Sequence, residues 1–217
     1  MAILKLYGYT KASCTRRVAT VLHELKIPFE LVHVDVMSGE HKTLAFLEKQ
    51  PFGQIPYIDD DGFILYESRA ICRYLAAKYP GSGLVPSDVK AAALFEQAAS
   101  VELSNFDPSA SKAGLELLKR DMAWEYDQAV IDVSLEILDK KLEGYEAILA
   151  KQRYVAGETF TLADLFHLPY AVLANAGEGN DVMTRKPNVA RWYKELLARP
   201  SWLAYEGEEA VRTTTSY

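Results

Sequence analysis

The residues with chemistry to offer gather in one stretch, Gln50 to Ile71. Ile55-Pro56 is a bond at which a cis peptide costs little, and a cis turn points the backbone of Ile55 outward. Pro56 cannot donate to a sheet ladder, so it belongs at the first residue of its strand or on an edge. Asp61-Gly62 between two short apolar runs is a hairpin signal, because such a turn needs positive φ. Glu67-Ser68 then opens a helix that carries Ile71, Tyr74 and Leu75 at helical spacing. A hydroxyl and free N–H groups at a helix start make a seat for a carboxylate. An outward-facing edge backbone beside an anion seat is a surface for a peptide. The same features also fit a plain hairpin-plus-helix corner of an α/β fold.

Two pairs upstream have related possibilities. Ser13 and Cys14 lie where the polar loop from Tyr9 to Thr15 runs into a helix marked by Val18, Val21, Leu22 and Leu25. His41 and Lys42 follow Ser38-Gly39-Glu40 in what reads, on its own, as a solvated turn. With 2 cysteines, Cys14 and Cys72, the chain has neither a disulfide framework nor a metal quartet. Cys72 falls inside an amphipathic helix, as a small buried hydrophobe does.

The elements that position these residues follow from the apolar pattern. Ile3 to Tyr7 suits a buried strand closed by Gly8, and Phe29 to Val34 alternates as a second strand after Pro28 stops the first helix. Thr43 to Lys49 is a short helix, and the hairpin and its helix complete the order strand, helix, strand, helix, strand, strand, helix. That is a thioredoxin-like layout over residues 1–79. The Pro/Gly/Ser-rich residues 80–88 read as a linker.

Residues 89–217 read as an all-helical domain. Helices are expected from Val89 to about Lys119 and from Trp124 to Leu149, the second with Val130, Val133, Ile137, Leu138, Leu142, Tyr145 and Leu149 as its buried stripe. Thr161 with Asp164 resembles a capping box. The helix that follows, Leu165 to Ala174, is apolar nearly all round, with His167 as a satisfied interior histidine. Pro187 to Ala198 and Pro200 to Glu206 close the pattern. The formal net charge of -6 and the lack of a basic cluster speak against nucleic acid as a partner. No apolar run reaches membrane-spanning length, and Met1 to Tyr7 is too short and wrongly flanked for a signal peptide. A cytoplasmic setting is the expectation.

Pro51-Phe52-Gly53-Gln54-Ile55-Pro56, the helix start Glu67-Ser68-Arg69-Ala70-Ile71, and Gly157-Glu158-Thr159 with Thr161 and Asp164 together resemble the cytosolic glutathione transferases. Gly39-Glu40-His41-Lys42 and Ser13-Cys14-Thr15-Arg16-Arg17-Val18 are similar to that family's phi class, known in plants and fungi. The likeness covers essentially the whole chain, and its motifs are specific by order and spacing more than one by one. It implies a thioredoxin-like domain followed by an all-helical one. It also implies conjugation of the glutathione thiol to hydrophobic electrophiles, often with peroxidase activity. Glutathione is then a co-substrate, and no bound cofactor or metal is expected.

Carried over by position, the backbone of Ile55 before cis-Pro56 pairs with the cysteinyl part of glutathione. Gln54 lies near the glycyl end and its neighbour, and His41 and Lys42 near the glycine carboxylate. Glu67 and Ser68 hold the γ-glutamyl group, an acid for its ammonium and helix N–H groups for its carboxylate. Phe52 is the aromatic key that docks in a neighbouring subunit, which makes a homodimer the expected assembly. The electrophile site is expected from the Thr10–Ala12 loop, Val36-Met37 and the helix around Leu115 to Lys119.

The sequence departs from the phi pattern at the sulfur. Aligned on Thr15-Arg16-Arg17-Val18, the catalytic Ser slot falls on Ala12, Ser13 takes the next slot, and the usual Pro of this loop is absent, with Thr10 nearby. Ser13 is expected to stabilise the thiolate. The alternatives are backbone N–H groups with Ser13 acting indirectly, and Ser13 as a plain N-cap. Two other functions stay open beside conjugation: a thiol transferase using Cys14, and a non-catalytic carrier of hydrophobic ligands.

Overall fold

A computed structural model describes residues 3–177 and 179–205. The chain divides into two compact units, one from residues 1–82 with 199–217 and one from Gly83 to Ala198.

The first unit is built on a four-stranded sheet in the order β2-β1-β3-β4, with β1 at Leu4–Gly8, β2 at Phe29–His33, β3 at Tyr57–Asp60 and β4 at Phe63–Tyr66. The β1–β2 pair is parallel and the other two pairs are antiparallel. Helix α1 (Ser13–Glu24) connects the parallel strands, the short α2 (Leu44–Leu47) precedes β3, and α3 (Ser68–Lys78) follows β4. Asp61 and Gly62 both have positive φ, at 55° and 90°, as a two-residue turn matched to strand twist requires. Leu6, Val18, Val21, Leu22, Ile58, Ile71 and Leu75 are all fully buried, the sheet's face against α1 and α3. Cys72 is buried among them, and burial pushes its thiol up to about 12, which makes it inert.

The boundary of the second domain differs from the sequence reading at its C-terminal end. Residues 199–205 group with the first unit, because their polar and aromatic side chains bind α1. Arg199 and Ser201 both reach the Glu24 carboxylate, Ser201 at 2.6 Å, and the Arg16 guanidinium lies 3.4 Å from the Trp202 ring centroid. A local apolar pattern does not report such long-range partners. The expected last helix is described as far as residue 205, and the tail beyond it lies outside the described residues.

The helical unit contains α4 (Val89–Val101), a π-helical turn at Glu102–Phe106, α5 (Asp107–Asp121), α6 (Gln128–Leu149), α7 (Leu162–Ala174) and α8 (Pro187–Leu197). Pro108 explains the π turn, since its ring removes a donor and crowds the preceding carbonyls. Helix α6 begins at Gln128 rather than Trp124, because Asp127 caps it by accepting from the N–H groups of Ala129 and Val130. Its buried row is Ile131, Ser134, Leu138, Leu142, Tyr145 and Leu149, whereas Val133 and Ile137 are exposed. Apolar residues form two diverging rows on the first turns of this helix, and the core takes the row continuous with Leu138. The capping box is present: Thr161 and Asp164 exchange hydrogen bonds at the start of α7, and that helix is buried almost throughout. His167 is satisfied, Nδ1 donating to the Ala163 carbonyl at 2.7 Å and Nε2 accepting from the Tyr145 hydroxyl at 2.9 Å.

Candidate active site

Strand register decides which loops meet. Gly8, the last residue of β1, stands opposite His33, the last of β2. Tyr7 pairs with Tyr57, the first residue of β3, and Tyr57 pairs with Tyr66, the last of β4. One edge of the sheet therefore launches four segments: Tyr9–Ser13 from β1, Asp35–Lys42 from β2, the loop entering β3 through Ile55-Pro56, and Glu67-Ser68 from β4. Every residue predicted to contact glutathione falls on one of these segments, whereas Leu115 to Lys119, expected at the electrophile site, lie on α5 of the helical unit. Crevices at the carboxyl ends of parallel strands are where α/β sheets bind ligands.

Ile55-Pro56 is cis. The Ile55 side chain is held down against Val34, Phe46 and Tyr57, beside the stacked rings of Tyr7 and Tyr57 at 4.4 Å. Burial pushes the Tyr57 hydroxyl up to about 12, so this ring is packing rather than acid–base chemistry. With the side chain anchored, the Ile55 N–H and C=O have no partner among the described residues. That is the donor–acceptor pair of a missing strand neighbour, as backbone recognition of a peptide requires.

Glu67 is the N-cap of α3, with φ 70° and ψ 106°, and its side chain caps nothing in the helix. A left-handed, non-glycine residue at a helix mouth is a strained conformation that tertiary structure must hold. Ser68 begins the helix and is buried. Its hydroxyl accepts from Arg17 Nη1 at 2.9 Å, and the same nitrogen lies 3.5 Å from Cys14 Sγ. Arg17, 1% exposed, thus ties the start of α3 to the start of α1.

At the start of α1 the N-cap is Ala12, in extended conformation with no side-chain acceptor. Ser13 is already the first helical residue, which rules out the reading of Ser13 as a plain cap. A helix whose cap residue has no oxygen leaves its first N–H groups to an outside acceptor. Ser13 and Cys14 are both half-buried.

His41 and Lys42 lie on a 3-10 turn, Glu40–Lys42. His41 is half-buried and its Nδ1 has no partner among the described residues. Lys42 Nζ donates to the Gly53 carbonyl at 2.7 Å, so it ties this turn to the loop that enters Ile55. Gln54 is exposed, and its N–H donates to Gln50 Oε1 at 3.2 Å. Phe52 is 65% exposed with its ring edge toward Tyr66, 6.2 Å between centroids. In the helical unit, Leu115 is exposed on α5 and Lys119 pairs with Glu116 at 2.6 Å.

Gln50 and Arg17 are positioning residues that the sequence reading quoted without a role. A glutamine that is 2% exposed in a polar loop carries no local signal, and the second Arg of a pair reads as surface charge. Among the described residues, no group of three or more His, Cys, Asp or Glu stands ready to hold a metal. No described helix is long and apolar enough to cross a membrane.

Residues 6–83 match the family described as glutathione S-transferase, N-terminal domain, and residues 106–200 match glutathione S-transferase, C-terminal domain. A curated relative, glutathione S-transferase PM239X14 from Arabidopsis thaliana, is 48% identical over 203 residues, covering 91% of this chain and 93% of its own. The crystal structure of glutathione transferase F7 from Populus trichocarpa superposes with a TM-score of 0.89 at 38% identity, covering 94% of this chain and 98% of that one. Glutathione S-transferase I from maize, in complex with an atrazine–glutathione conjugate, gives 0.86 at 34% identity, covering 95% and 97%. The unpaired backbone at the sheet edge, the helical unit after it and these likenesses over nearly the full length agree: this chain belongs to the glutathione S-transferase family.

Proposed function

We propose that this phi-like transferase conjugates glutathione to hydrophobic electrophiles from the edge just described, and that the carrying observation is the unpaired Ile55 backbone between two uncapped helix starts. In this reading Ile55 pairs with the cysteinyl unit of glutathione as an added strand. Glu67 takes its γ-glutamyl ammonium, and the first turn of α3 with Ser68 takes the carboxylate beside it. His41 and Gln54 face the glycyl end. Lys42 contributes positive charge there while its ammonium holds the loop through Gly53. This places the sulfur at the α1 start.

The reaction needs the thiol ionised. Lowering a thiol pKa by two units corresponds to about 2.7 kcal/mol of preference for the anion. One hydrogen bond to a charged group contributes about 1.5–3 kcal/mol, and a helix N-terminus adds about 0.3–1 kcal/mol. Ser13 with the first N–H groups of α1 is sufficient for that sum, despite Ala12 in the usual serine slot. The proton leaves to solvent, the sulfur attacks the electrophilic carbon, and the leaving group departs with the bond electrons. Attack on a hydroperoxide instead releases an alcohol and leaves a sulfenic acid on the glutathione sulfur, which a second glutathione converts to the disulfide and water.

Glutathione is a co-substrate in this scheme and no bound cofactor takes part. Phe52, exposed in the loop before cis-Pro56, is proposed as the anchor of a homodimer. We assign the protein to the cytoplasm, with foreign electrophiles as its class of substrate.

The test is a pH titration of the thiolate ultraviolet band of glutathione bound to the protein, with and without Ser13→Ala. A midpoint well below that of free thiol, lost in Ser13→Ala, supports Ser13 as the thiolate donor. A low midpoint that survives the substitution moves the role to the α1 amides. Bound glutathione that stays a thiol overturns the conjugating reading in favour of a ligand carrier.

A further inference from the structure

Residues 199–205 form a short strap along α1, running against its direction. Arg199 and Ser201 hold Glu24 at the C-terminal end of the helix, and Trp202 lies under Arg16 one turn from its start. The last described residue of the strap, Tyr205, is 2% exposed, and its hydroxyl donates to the Thr10 carbonyl. That acceptor sits in the turn Tyr9–Ala12, which is closed by the Ala12 N–H on the Tyr9 carbonyl at 3.0 Å. A turn of this kind uses the carbonyl of its first residue and leaves that of its second, here Thr10, to an outside donor.

The turn sets the direction from which Ala12 enters α1, and hence where the uncapped N–H groups and the Ser13 hydroxyl point. Its second position is where a proline ring would preset φ. Thr10 has no ring, so its restraint must come from elsewhere. Cation–π contact, three hydrogen bonds to Glu24 and a buried phenol all press the strap into one place, which makes it a stiff support.

We propose that residues 199–205 position the sulfur-binding turn, with Tyr205 as the positioning residue that replaces covalent restraint at Thr10. The proposal rests on the conjugating reading above. Tyr205 touches no substrate and reaches the turn through the Thr10 carbonyl, while its ring lies 5.7 Å from the Arg16 guanidinium. Removing its hydroxyl leaves the ring in the core but frees the turn. The alignment of donors to the thiolate then loosens, while the sites for the two ends of glutathione stay as they are.

The experiment compares wild type, Tyr205→Phe, and Tyr205→Phe with Thr10→Pro, all as full chains. It measures kcat and KM for glutathione with a chlorinated nitrobenzene acceptor, together with the pH profile of kcat/KM. In Tyr205→Phe we expect the acid limb of the profile to move up by about one unit and kcat at the acid end to fall about tenfold. The glutathione KM should stay within about twofold, since uniform binding is untouched. Adding Thr10→Pro should bring the limb back down. Arg199→Gln, a partly exposed site at the far end of the strap, gives the same direction with smaller size and serves if Tyr205→Phe does not fold. A Tyr205→Phe profile that overlays wild type overturns the strap, as does a loss seen only in thermal stability or one that Thr10→Pro fails to reverse. Failure of the conjugating reading looks different: wild type itself then shows no turnover and no low-pH thiolate band.

Discussion

Gly53 shows how closely single residues are fitted at the binding edge. Its φ is 60°, and a Cβ there would come within 2.8 Å of the His41 carbonyl oxygen and 3.0 Å of Lys42 Nζ. Gly53→Ala must therefore push apart the two segments that Lys42 joins, one of which leads directly into Ile55. We expect Gly53→Ala to raise the glutathione KM about tenfold or more, a loss of at least about 1.4 kcal/mol in ground-state binding, with a smaller effect on kcat. Isothermal titration with glutathione and steady-state kinetics check the split. At this scale the sequence was informative where chemistry and conformation coincide. Pro56 announced its own bond geometry, and Glu67-Ser68 announced a helix mouth. Arg17 did not announce itself because its partner, Ser68 Oγ, is near only in the folded chain, and Gln50 did not because no local pattern marks the acceptor of the Gln54 N–H.

Helix ends in this protein draw on partners from distant parts of the chain. The N-cap of α8 is Lys186, which has no acceptor to offer. Glu146 on α6 supplies one instead, accepting from the N–H of Val189 at 3.0 Å and from the N–H and side chain of Asn188. Burial pushes the Glu146 carboxyl up, but these bonds and the Lys186 charge outweigh it and hold its pKa below the ordinary value. A lowered folded pKa means stability that is complete above the unfolded carboxyl range and is lost as pH falls through the lowered value. Glu146→Gln should flatten the acid side of a stability-versus-pH curve and cost about 1 kcal/mol near neutrality, as measured by urea unfolding.

Asp164 is the deeper case. Its buried carboxylate accepts from the N–H groups of Val155 and Thr161, the Thr161 hydroxyl and Trp192 Nε1. Burial raises its pKa and the four donors oppose that rise. Asp164→Ala strands all four at once, so we expect a loss of about 4 kcal/mol or more and a fall of about 10 °C or more in melting temperature by calorimetry. The Thr161–Asp164 box was legible because a capping box is local. The reach to Trp192 and the Glu146 cap on α8 were not, since each spans more than twenty residues of chain. The row of α6 that turns inward was ambiguous for a related reason: periodicity marks a stripe, but neighbouring helices choose between two adjacent ones.

For the whole molecule, the proposed homodimer gives the clearest expectation. Phe52 is 65% exposed and is held on a loop whose other end is fixed by Gln50 and Lys42. Phe52→Asp should shift sedimentation from dimer to monomer at micromolar protein, a loss of about 2 kcal/mol or more of association free energy if the ring is an anchor. An unchanged sedimentation coefficient would remove Phe52 from that role.

The first unit is discontinuous in the chain, closed by residues that come after the whole helical unit. During synthesis the ribosome delivers the thioredoxin-like strands first, yet α1 waits for Trp202 and Tyr205 until the whole helical unit has emerged. The contiguous helical unit has all its partners earlier, although it begins later. Order of translation and order of completion are thus reversed in this protein. A chain stalled or cut short before residue 199 would carry a folded helical unit and an unfinished first unit.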